Sequence, residues 1–253
     1  MEYGSLYVHN ENGIATVEFF HPASNSLPSE LLDRIEKSFI DLSDDPKVNV
    51  IILKSEKDRA FCAGASFDEL LNIDNPKDGF KFFNGFGKVI LAMINCKKPI
   101  IGRVQGKSVG GGVGLIAACD LVYATETAAI KLSEISIGIG PFVIEPVISH
   151  KIGIATTAVL SLQPTQWQNA YWAKDNGLYA RVFENIKALD EAVQLQAEQW
   201  NSYSNEAMQQ LKKVIWHNTE HFKELMQKRA ETSGNLVLND STKKALSNFK
   251  NKS

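Results

Sequence analysis

Three consecutive glycines, Gly110 to Gly112, separate a β-rich run from an apolar helical run in the segment KSVGGGVGLIAACD, residues 107–120. A glycine inside a regular element costs about 0.5–1 kcal/mol relative to alanine, so a cluster that also includes Gly106 and Gly114 indicates more than packing. The backbone N–H groups at such a helix entrance are open, and the helix dipole adds partial positive charge there. We therefore expect this loop to hold a negatively charged oxygen.

A second loop of the same kind is predicted upstream, at FCAGASF, residues 61–67. A strand-like run ends there at a glycine that has small neighbours. Two loops that each offer one N–H group would form an oxyanion hole, which stabilises a carbonyl oxygen as it becomes negative.

Composition narrows the class of protein. The chain has 253 residues and a net charge of −2, so nothing in it favours a polyanionic partner, and nucleic acid is excluded as a substrate. No apolar run reaches the roughly 18–20 residues of a membrane span, and the N-terminus resembles no signal peptide, so we expect a cytoplasmic protein without a membrane partner. Cys62, Cys96 and Cys119 are too widely spaced for a metal site or a disulfide framework. No metal is predicted.

Strand-like and helix-like segments alternate through the first two thirds of the chain. The predicted strands are 13–20, 48–54, 99–104 and 120–125, and the predicted helices are 28–43 (with Ser29 as its cap), 77–94 and 112–119. This alternation favours an α/β core with crossover connections. After about residue 185 the pattern is helical, with caps expected at Asp190, Ser204 and Asp240.

Two further motifs overlap the glycine loop. Residues 106–110, GKSVG, fit the G-x-S-x-G elbow of serine hydrolases, which makes Ser108 a candidate nucleophile. Residues 112–117, GVGLIA, fit the dinucleotide fingerprint, but they lie in mid-chain, whereas that fingerprint normally opens a βαβ unit. The serine hydrolase remains open as an alternative.

Five motifs occur in a specific order along nearly the whole chain. They are PASNSL (22–27), AFCAGASFDEL (60–70), KKPIIGRVQGKSVGGGVGLIAACDLVYAT (97–125), LSEISIGIGP (132–141) and GLYARVF (177–183). In this order they resemble the crotonase, or enoyl-CoA hydratase/isomerase, superfamily. Within it, GGGVGLIAACD (110–120) together with PFVIEPVISHKIG (141–153) resembles the glutaconyl-type hydratases, whereas LSE (132–134) followed by PF (141–142) also resembles enoyl-CoA isomerases with a single glutamate.

The resemblance implies an α/β fold, a crotonase-like spiral of repeated ββα units followed by a helical C-terminal trimerisation region. It divides the chain into a core with the acyl-CoA site, 1–190, and a helical oligomerisation region, 191–253. It also implies a homotrimer or a dimer of trimers. The substrate would be an acyl-CoA thioester, and no separate cofactor is expected because coenzyme A is part of the substrate. The N–H groups of Ala65 and Gly111 would bind the thioester oxygen.

Glu134 is the candidate acid/base. It lies among Ile130, Leu132, Ile135 and Ile137, where desolvation would raise the pKa of its carboxyl group toward neutrality. Its place after the glycine loop also matches the catalytic glutamate of the resembled family.

A second glutamate of that family's hydratases is replaced here by Gly114. One carboxylate suffices to carry a proton between C2 and C4, so the replacement favours isomerisation, while the wider motif pattern favours hydration. Glu145 is weighed as a substitute for the missing acid, and the alternative for it is a charged residue at a helix start.

Further substrate contacts are implied on the same grounds. The candidates for substrate binding are Ala63, Gly64, Phe67, Gly110 and Phe142, with Arg59 and Lys243 or Lys244 for the CoA phosphates and Phe249 in an acyl or adenine pocket across a subunit boundary. For the arginine and the lysines, the alternative is an ordinary solvent-exposed cation.

The sequence thus predicts an enoyl-CoA hydratase, of a branched or methylglutaconyl type, as the leading function. A 3-enoyl to 2-enoyl isomerase is the alternative, and a decarboxylase or thioester hydrolase is compatible with the same oxyanion hole. A serine hydrolase that uses Ser108 and an inert CoA-binding protein are the alternatives from other classes.

Overall fold

The computed structural model describes residues 4–56 and 59–250, with Phe249 and Lys250 described by their backbone only. None of the helices in that part is long and apolar enough to cross a lipid bilayer. The main sheet has six strands in the order β1, β2, β3, β4, β6, β9. They are β1 (Ser5–Glu11), β2 (Ile14–Phe20), β3 (Val50–Ser55), β4 (Ile100–Val104), β6 (Leu121–Thr125) and β9 (Arg181–Phe183). All neighbours are parallel except β1 and β2.

Strand β3 shows why this sheet is buried on both faces. Successive side chains of a strand point to opposite faces, and every residue from Val50 to Leu53 is apolar and buried. Val50 and Ile52 join a cluster with Leu189 of the C-terminal region, whereas Ile51 and Leu53 belong to the large core on the other face. The predicted α/β core with crossover connections is confirmed.

The helices of the core are α1 (Ser29–Asp44), α2 (Phe67–Leu71), α3 (Pro76–Asn95), α4 (Gly111–Ala118), α5 (Glu145–Ile152), α6 (Ile154–Leu162) and α7 (Ala170–Asp175). Three of them, α1, α3 and α4, match their predicted ranges to within two residues, and the others were not predicted. The predicted cap at Ser29 is wrong, because Pro28 occupies the cap position. Ser29 is the first helical residue, and its N–H and hydroxyl groups both donate to the carboxylate of Glu69.

A small second sheet fixes the position of the glycine triplet. It contains β5 (Ser108–Val109), β7 (Ala129–Lys131) and β8 (Gln168–Asn169), in that order. The N–H of Gly110 donates to the carbonyl of Lys131 at 3.0 Å, so the triplet lies beside the end of β7. A short 3-10 helix, Glu134–Ile137, follows β7 directly. This pairing brings Glu134 to the N-terminus of α4.

Four helices form the C-terminal region: α8 (Ile186–Asn201), α9 (Asn205–Ile215), α10 (Phe222–Leu236) and α11 (Asp240–Lys250). The helical character is confirmed, and Ser204 caps α9 as predicted. Asp190 and Asp240 are not caps, because Asp190 lies inside α8, where it binds Arg103, and Asp240 is already helical. The division at residue 190 stays a prediction, and α8 runs across it.

Candidate active site

The two glycine-containing loops predicted to act together are neighbours in the fold. Cys62 and Ser108 form a parallel bridge, and the N–H of Val109 donates to the carbonyl of Cys62 at 2.9 Å. Gly64 has φ +89°, and a Cβ there would lie 3.0 Å from Val109 O and 3.8 Å from Gly111 N. Such a conformation in such a contact requires glycine. The loops therefore touch at the residues that flank Ala65 and Gly111.

The N–H groups of Ala65 and Gly111 are both open. The N–H of Leu27 donates to the carbonyl of Gly64, and the carbonyl of Leu27 accepts from the N–H of Ser66. The N–H of Ala65, which lies between Gly64 and Ser66, therefore faces away from Leu27. Gly111 is the first residue of α4 and has no acceptor within its own helix. Among the described residues, no carbonyl or side chain accepts from either N–H. Both residues are half-buried, so a ligand oxygen would meet two donors that are already desolvated in part.

The carboxyl group of Glu134 lies against the glycine triplet. Gly110 has φ +53°, and a Cβ there would lie 2.6 Å from Glu134 Oε1. The other oxygen, Oε2, is buried and has no hydrogen-bond partner in the described structure. Desolvation raises the pKa of Glu134 to about 7, although hydrogen bonds from the N–H groups of Glu134 itself and Ser133 act to lower it. A group with this pKa can both take and return a proton near neutral pH.

Apolar side chains cover the face of α4 that begins at Gly111. The ring of Phe86 lies over Gly111, where an added Cβ would be 2.3 Å from the ring. One turn further, a Cβ at Gly114 would lie 2.7 Å from Ile144 Cγ2 and 3.1 Å from Ile90 Cδ1. The position of the second glutamate in the resembled hydratases is therefore filled by aliphatic side chains, and a longer side chain at residue 114 would not fit.

Glu145 does not replace the missing acid. Its carboxylate is in an ion pair with Arg229 of α10 and also accepts from the hydroxyl of Ser149. It is Ile144, the residue before it, that contacts Gly114. Glu145 thus has the second of its two predicted roles, a charged residue at a helix start.

The serine hydrolase alternative is contradicted by the surroundings of Ser108. Its side chain is fully buried, and its Oγ has no hydrogen-bond partner in the described structure. A nucleophilic serine needs a general base within hydrogen-bond reach and access for the substrate. Ser108 instead lies in β5, paired with Ile130 on one side and Cys62 on the other.

The remaining predicted substrate contacts fall into two groups. Ala63, Gly64, Phe67 and Gly110 lie on the two loops, and Phe142 is half-buried after the 3-10 helix. Arg59 and Lys243 are exposed, and their contacts with the CoA phosphates stay a prediction. The side chain of Phe249 lies outside the described residues. Sequence reasoning missed Phe86, Ile90 and Ile144; the spacing of Phe86 and Ile90 on one face of α3 was a signal for the first two, and Ile144 had none.

Comparison with known proteins identifies the family. The family model described as enoyl-CoA hydratase/isomerase matches residues 9–253. The chain belongs to the enoyl-CoA hydratase/isomerase family. This family member is 29% identical over 211 residues to the peroxisomal Delta(3,5)-Delta(2,4)-dienoyl-CoA isomerase of Arabidopsis thaliana, with 78% of this chain and 74% of the relative covered. It is 35% identical over 117 residues to the mitochondrial methylglutaconyl-CoA hydratase of Rattus norvegicus, with 46% of this chain and 37% of the relative covered.

The fold of this family member is also seen in solved structures. The crystal structure of enoyl-CoA hydratase from Bacillus halodurans superposes with a TM-score of 0.89 at 20% identity, with 96% of this chain and 99% of that chain covered. The predicted crotonase-like α/β fold is confirmed. An enzyme of hydratase or isomerase type follows from the family, and an acyl-CoA thioester is the substrate class consistent with it.

Proposed function

We propose that this chain moves a proton on an enoyl-CoA thioester, with Ala65 and Gly111 as oxyanion donors and Glu134 as the acid/base. The observation that carries the proposal is the buried, unpartnered Oε2 of Glu134 beside two open backbone N–H groups. An unpaired buried polar atom is unfavourable in the free protein, and its retention beside oxyanion donors is typical of a reacting group.

The chemistry follows from where charge develops. When a base removes a proton from C2 of a 3-enoyl thioester, the electron pair moves onto the thioester oxygen as an enolate. The N–H groups of Ala65 and Gly111 would bind that oxygen more strongly as it becomes negative, which lowers the barrier. The dipole of α4 adds to the donor at Gly111.

Double-bond isomerisation is the reaction that we favour. Glu134 takes the proton from C2 and returns it to C4, so the double bond moves from C3–C4 to C2–C3 and no proton is gained or lost. One carboxyl group is enough for this cycle. The aliphatic packing of Ile144 and Ile90 at Gly114 supports it, because it leaves the glycine face of α4 without a second carboxyl group.

Hydration is the second candidate, since the motif pattern favours it and the rat relative carries the name of a hydratase. Glu134 alone would then take a proton from water as its oxygen attacks C3 and deliver that proton to C2. A glutaconyl-type or otherwise branched acyl group belongs to this candidate.

A panel of three esters separates the candidates. Purified protein is assayed with 3-hexenoyl-CoA, crotonyl-CoA and methylglutaconyl-CoA. Hydration products are identified by mass, and the isomerisation product, which keeps the same mass, by the ultraviolet absorbance of its conjugated 2-enoyl thioester. We expect 2-hexenoyl-CoA as the main product, without a mass increase. A gain of one water with either of the other esters, and no isomerisation, would assign hydration instead. Binding of all three without conversion would overturn the proposed reaction and favour an inert CoA-binding protein.

We also propose that the chain self-associates through the exposed apolar side chains of α9. Three of its apolar side chains, Leu211, Val214 and Ile215, are exposed, whereas Lys212 between them is buried. Apolar residues that face outward from a helix mark an interaction surface, and a second copy of this chain is the occupant that the predicted trimer would supply. Leu211→Lys with Val214→Lys should dissociate the oligomer in sedimentation velocity; a wild-type monomer would contradict the proposal. The cytoplasmic location stays a prediction.

A further inference from the structure

A single arginine joins the C-terminal helices to the turn that follows Glu134 in the chain. Arg229 of α10 donates through Nη1 to the carbonyl of Phe142 at 3.2 Å and forms an ion pair with the carboxylate of Glu145. The second oxygen of Glu145 accepts from Ser149 in α5. The side chains of Arg229 and Glu145 are 31% and 22% exposed, so water screens this pair less than an open surface pair. The contacts hold the backbone at Phe142 and the side chain of Glu145, the two ends of the turn 142–145.

This turn carries the aliphatic wall beside the glycine face of α4. Val143 and Ile144 are each 4% exposed. Ile144 contacts Gly114, and Val143 lies close to Gly87 of α3, where an added Cβ would be 3.2 Å from its Cγ1. A shift of the turn would therefore move the wall next to the open N–H of Gly111.

The other end of the same segment is held by α11. The hydroxyl of Thr242 donates to the carbonyl of Gly138 at 3.2 Å. Ile139 packs in an apolar cluster with Val237 and Leu246 of the C-terminal helices. Among the described residues, Arg229 makes the only ion pair between these helices and the segment 138–145, so it is the contact that can be altered without removing core packing.

We propose that Arg229 is a positioning residue for acyl-group recognition, because it holds the 142–145 turn so that Ile144 closes the wall at Gly114. The inference rests on the proposed function. It assigns the C-terminal helices a part in the shape of the acyl site within one chain.

The test compares the selectivity of variants between two acyl lengths. Arg229→Gln removes the charge and one arm of the contact, and Arg229→Lys keeps the charge. Lys228→Gln, at an exposed neighbouring position on α10, is the matched control. The measured quantity is the ratio of kcat/KM for 3-hexenoyl-CoA and 3-dodecenoyl-CoA, which does not depend on the fraction of folded enzyme.

We expect Arg229→Gln to change this ratio by about tenfold, because a displacement near 1 Å at a positioning group has effects of that order or larger. Arg229→Lys should restore part of the selectivity, and Lys228→Gln should leave it unchanged. A ratio that Arg229→Gln does not alter, with wild-type turnover intact, would overturn the positioning role and leave the proposed function standing.

Amide hydrogen exchange supplies a readout that needs no turnover. Exchange of residues 139–145 should become at least about tenfold faster in Arg229→Gln, while β3 stays protected. Unchanged exchange would show that Arg229 does not hold the turn. Wild-type protein that converts neither of these 3-enoyl esters would instead overturn the proposed isomerisation, and with it the recognition role, whatever the exchange shows.

Discussion

Two buried carboxyl groups, those of Asp120 and Glu134, have opposite surroundings. Asp120 Oδ2 accepts from the N–H of Ile100 at 2.7 Å and from Lys212 Nζ at 2.8 Å, and Oδ1 accepts from Trp216 Nε1 at 2.6 Å. Oε2 of Glu134 accepts from no group in the described structure. Both carboxyl groups are removed from water, but both oxygens of Asp120 have donors, whereas Oε2 of Glu134 has none in the described structure.

Asp120 therefore serves the structure, whereas Glu134 is placed to react. The donors to Asp120 come from β4 and from the C-terminal helical region, so the carboxylate joins α9 to the core of the molecule. Lys212 also donates to the carbonyls of Met93 and Lys98, which leaves its ammonium group fully bonded. A charge held in this way joins distant segments of the chain. Glu134 accepts only locally, from its own N–H and that of Ser133, and its Oε2 has no donor in the described structure.

The largest effect is expected at the reacting group. Glu134→Gln should lower kcat on any ester that the wild type converts by about 10⁴-fold, since it removes the proposed proton carrier. Binding of the same ester, measured by calorimetry, should change little. Glu231→Gln, on an exposed position of α10, is the control. Turnover within tenfold of wild type in Glu134→Gln would show that Glu134 is not the proton carrier and that it does not differ from Asp120 in being a reacting group.

Loss of the partner of Asp120 should act on stability. Lys212→Met leaves a buried carboxylate without its countercharge and should lower the free energy of unfolding by about 3–5 kcal/mol. Urea denaturation followed by circular dichroism measures this. Lys213→Met, at the exposed neighbour, should be neutral. The activity of the folded fraction should stay near the wild-type value, and a selective loss of activity would place this cluster in the site after all.

The pH dependence sharpens the comparison. The pKa of Glu134 is raised from 4.5 to about 7 in the folded state, so the unfolded chain releases this proton at lower pH than the folded chain does. The carboxyl group therefore destabilises the protein as pH rises from about 4.5 to about 7, by roughly 3 kcal/mol in total. The difference in unfolding free energy between wild type and Glu134→Gln should shift by that amount between pH 4 and pH 8. Parallel curves would contradict the raised pKa.

The same pKa predicts the pH profile of the reaction. Because the ionised carboxylate is the base that takes the first proton, kcat/KM should fall below about pH 7 with a slope of one. Initial rates between pH 5 and pH 9 measure this. A profile flat down to pH 5 would indicate an ordinary, solvated carboxylate.

The smallest expected effect tests one donor of the Asp120 cluster. Trp216→Phe keeps an aromatic ring but removes the indole N–H that reaches Oδ1, and should lower the free energy of unfolding by about 1–3 kcal/mol. Thermal unfolding by calorimetry measures this. Trp167→Phe, at a residue that is 39% exposed, is the control. An equal loss of unfolding free energy in both variants would show that the hydrogen bond to Asp120 does not contribute to stability.

Local sequence patterns were enough to predict the backbone part of the site and most of the fold. Periodicity located α1, α3 and α4 to within two residues, because each has an apolar pattern bounded by turn residues or glycine. The motif order identified the family. The glycine cluster indicated a place where backbone N–H groups must stay uncovered, and glycine is needed at Gly64 and Gly110 because both have positive φ.

The side chains that surround that backbone are set by contacts between segments far apart in the chain. Glu145 was a chemically suitable acid, but it is bound by Arg229, which lies 84 residues away along the chain. Ser108 was a chemically suitable nucleophile, but the close pairing of β5 with its neighbours buries it. The apolar filling at Gly114 likewise comes from Ile144 and Ile90 on separate elements. Sequence patterns report local geometry and burial, whereas the presence or absence of a partner for a buried polar atom depends on contacts between distant segments, which only the folded chain brings together.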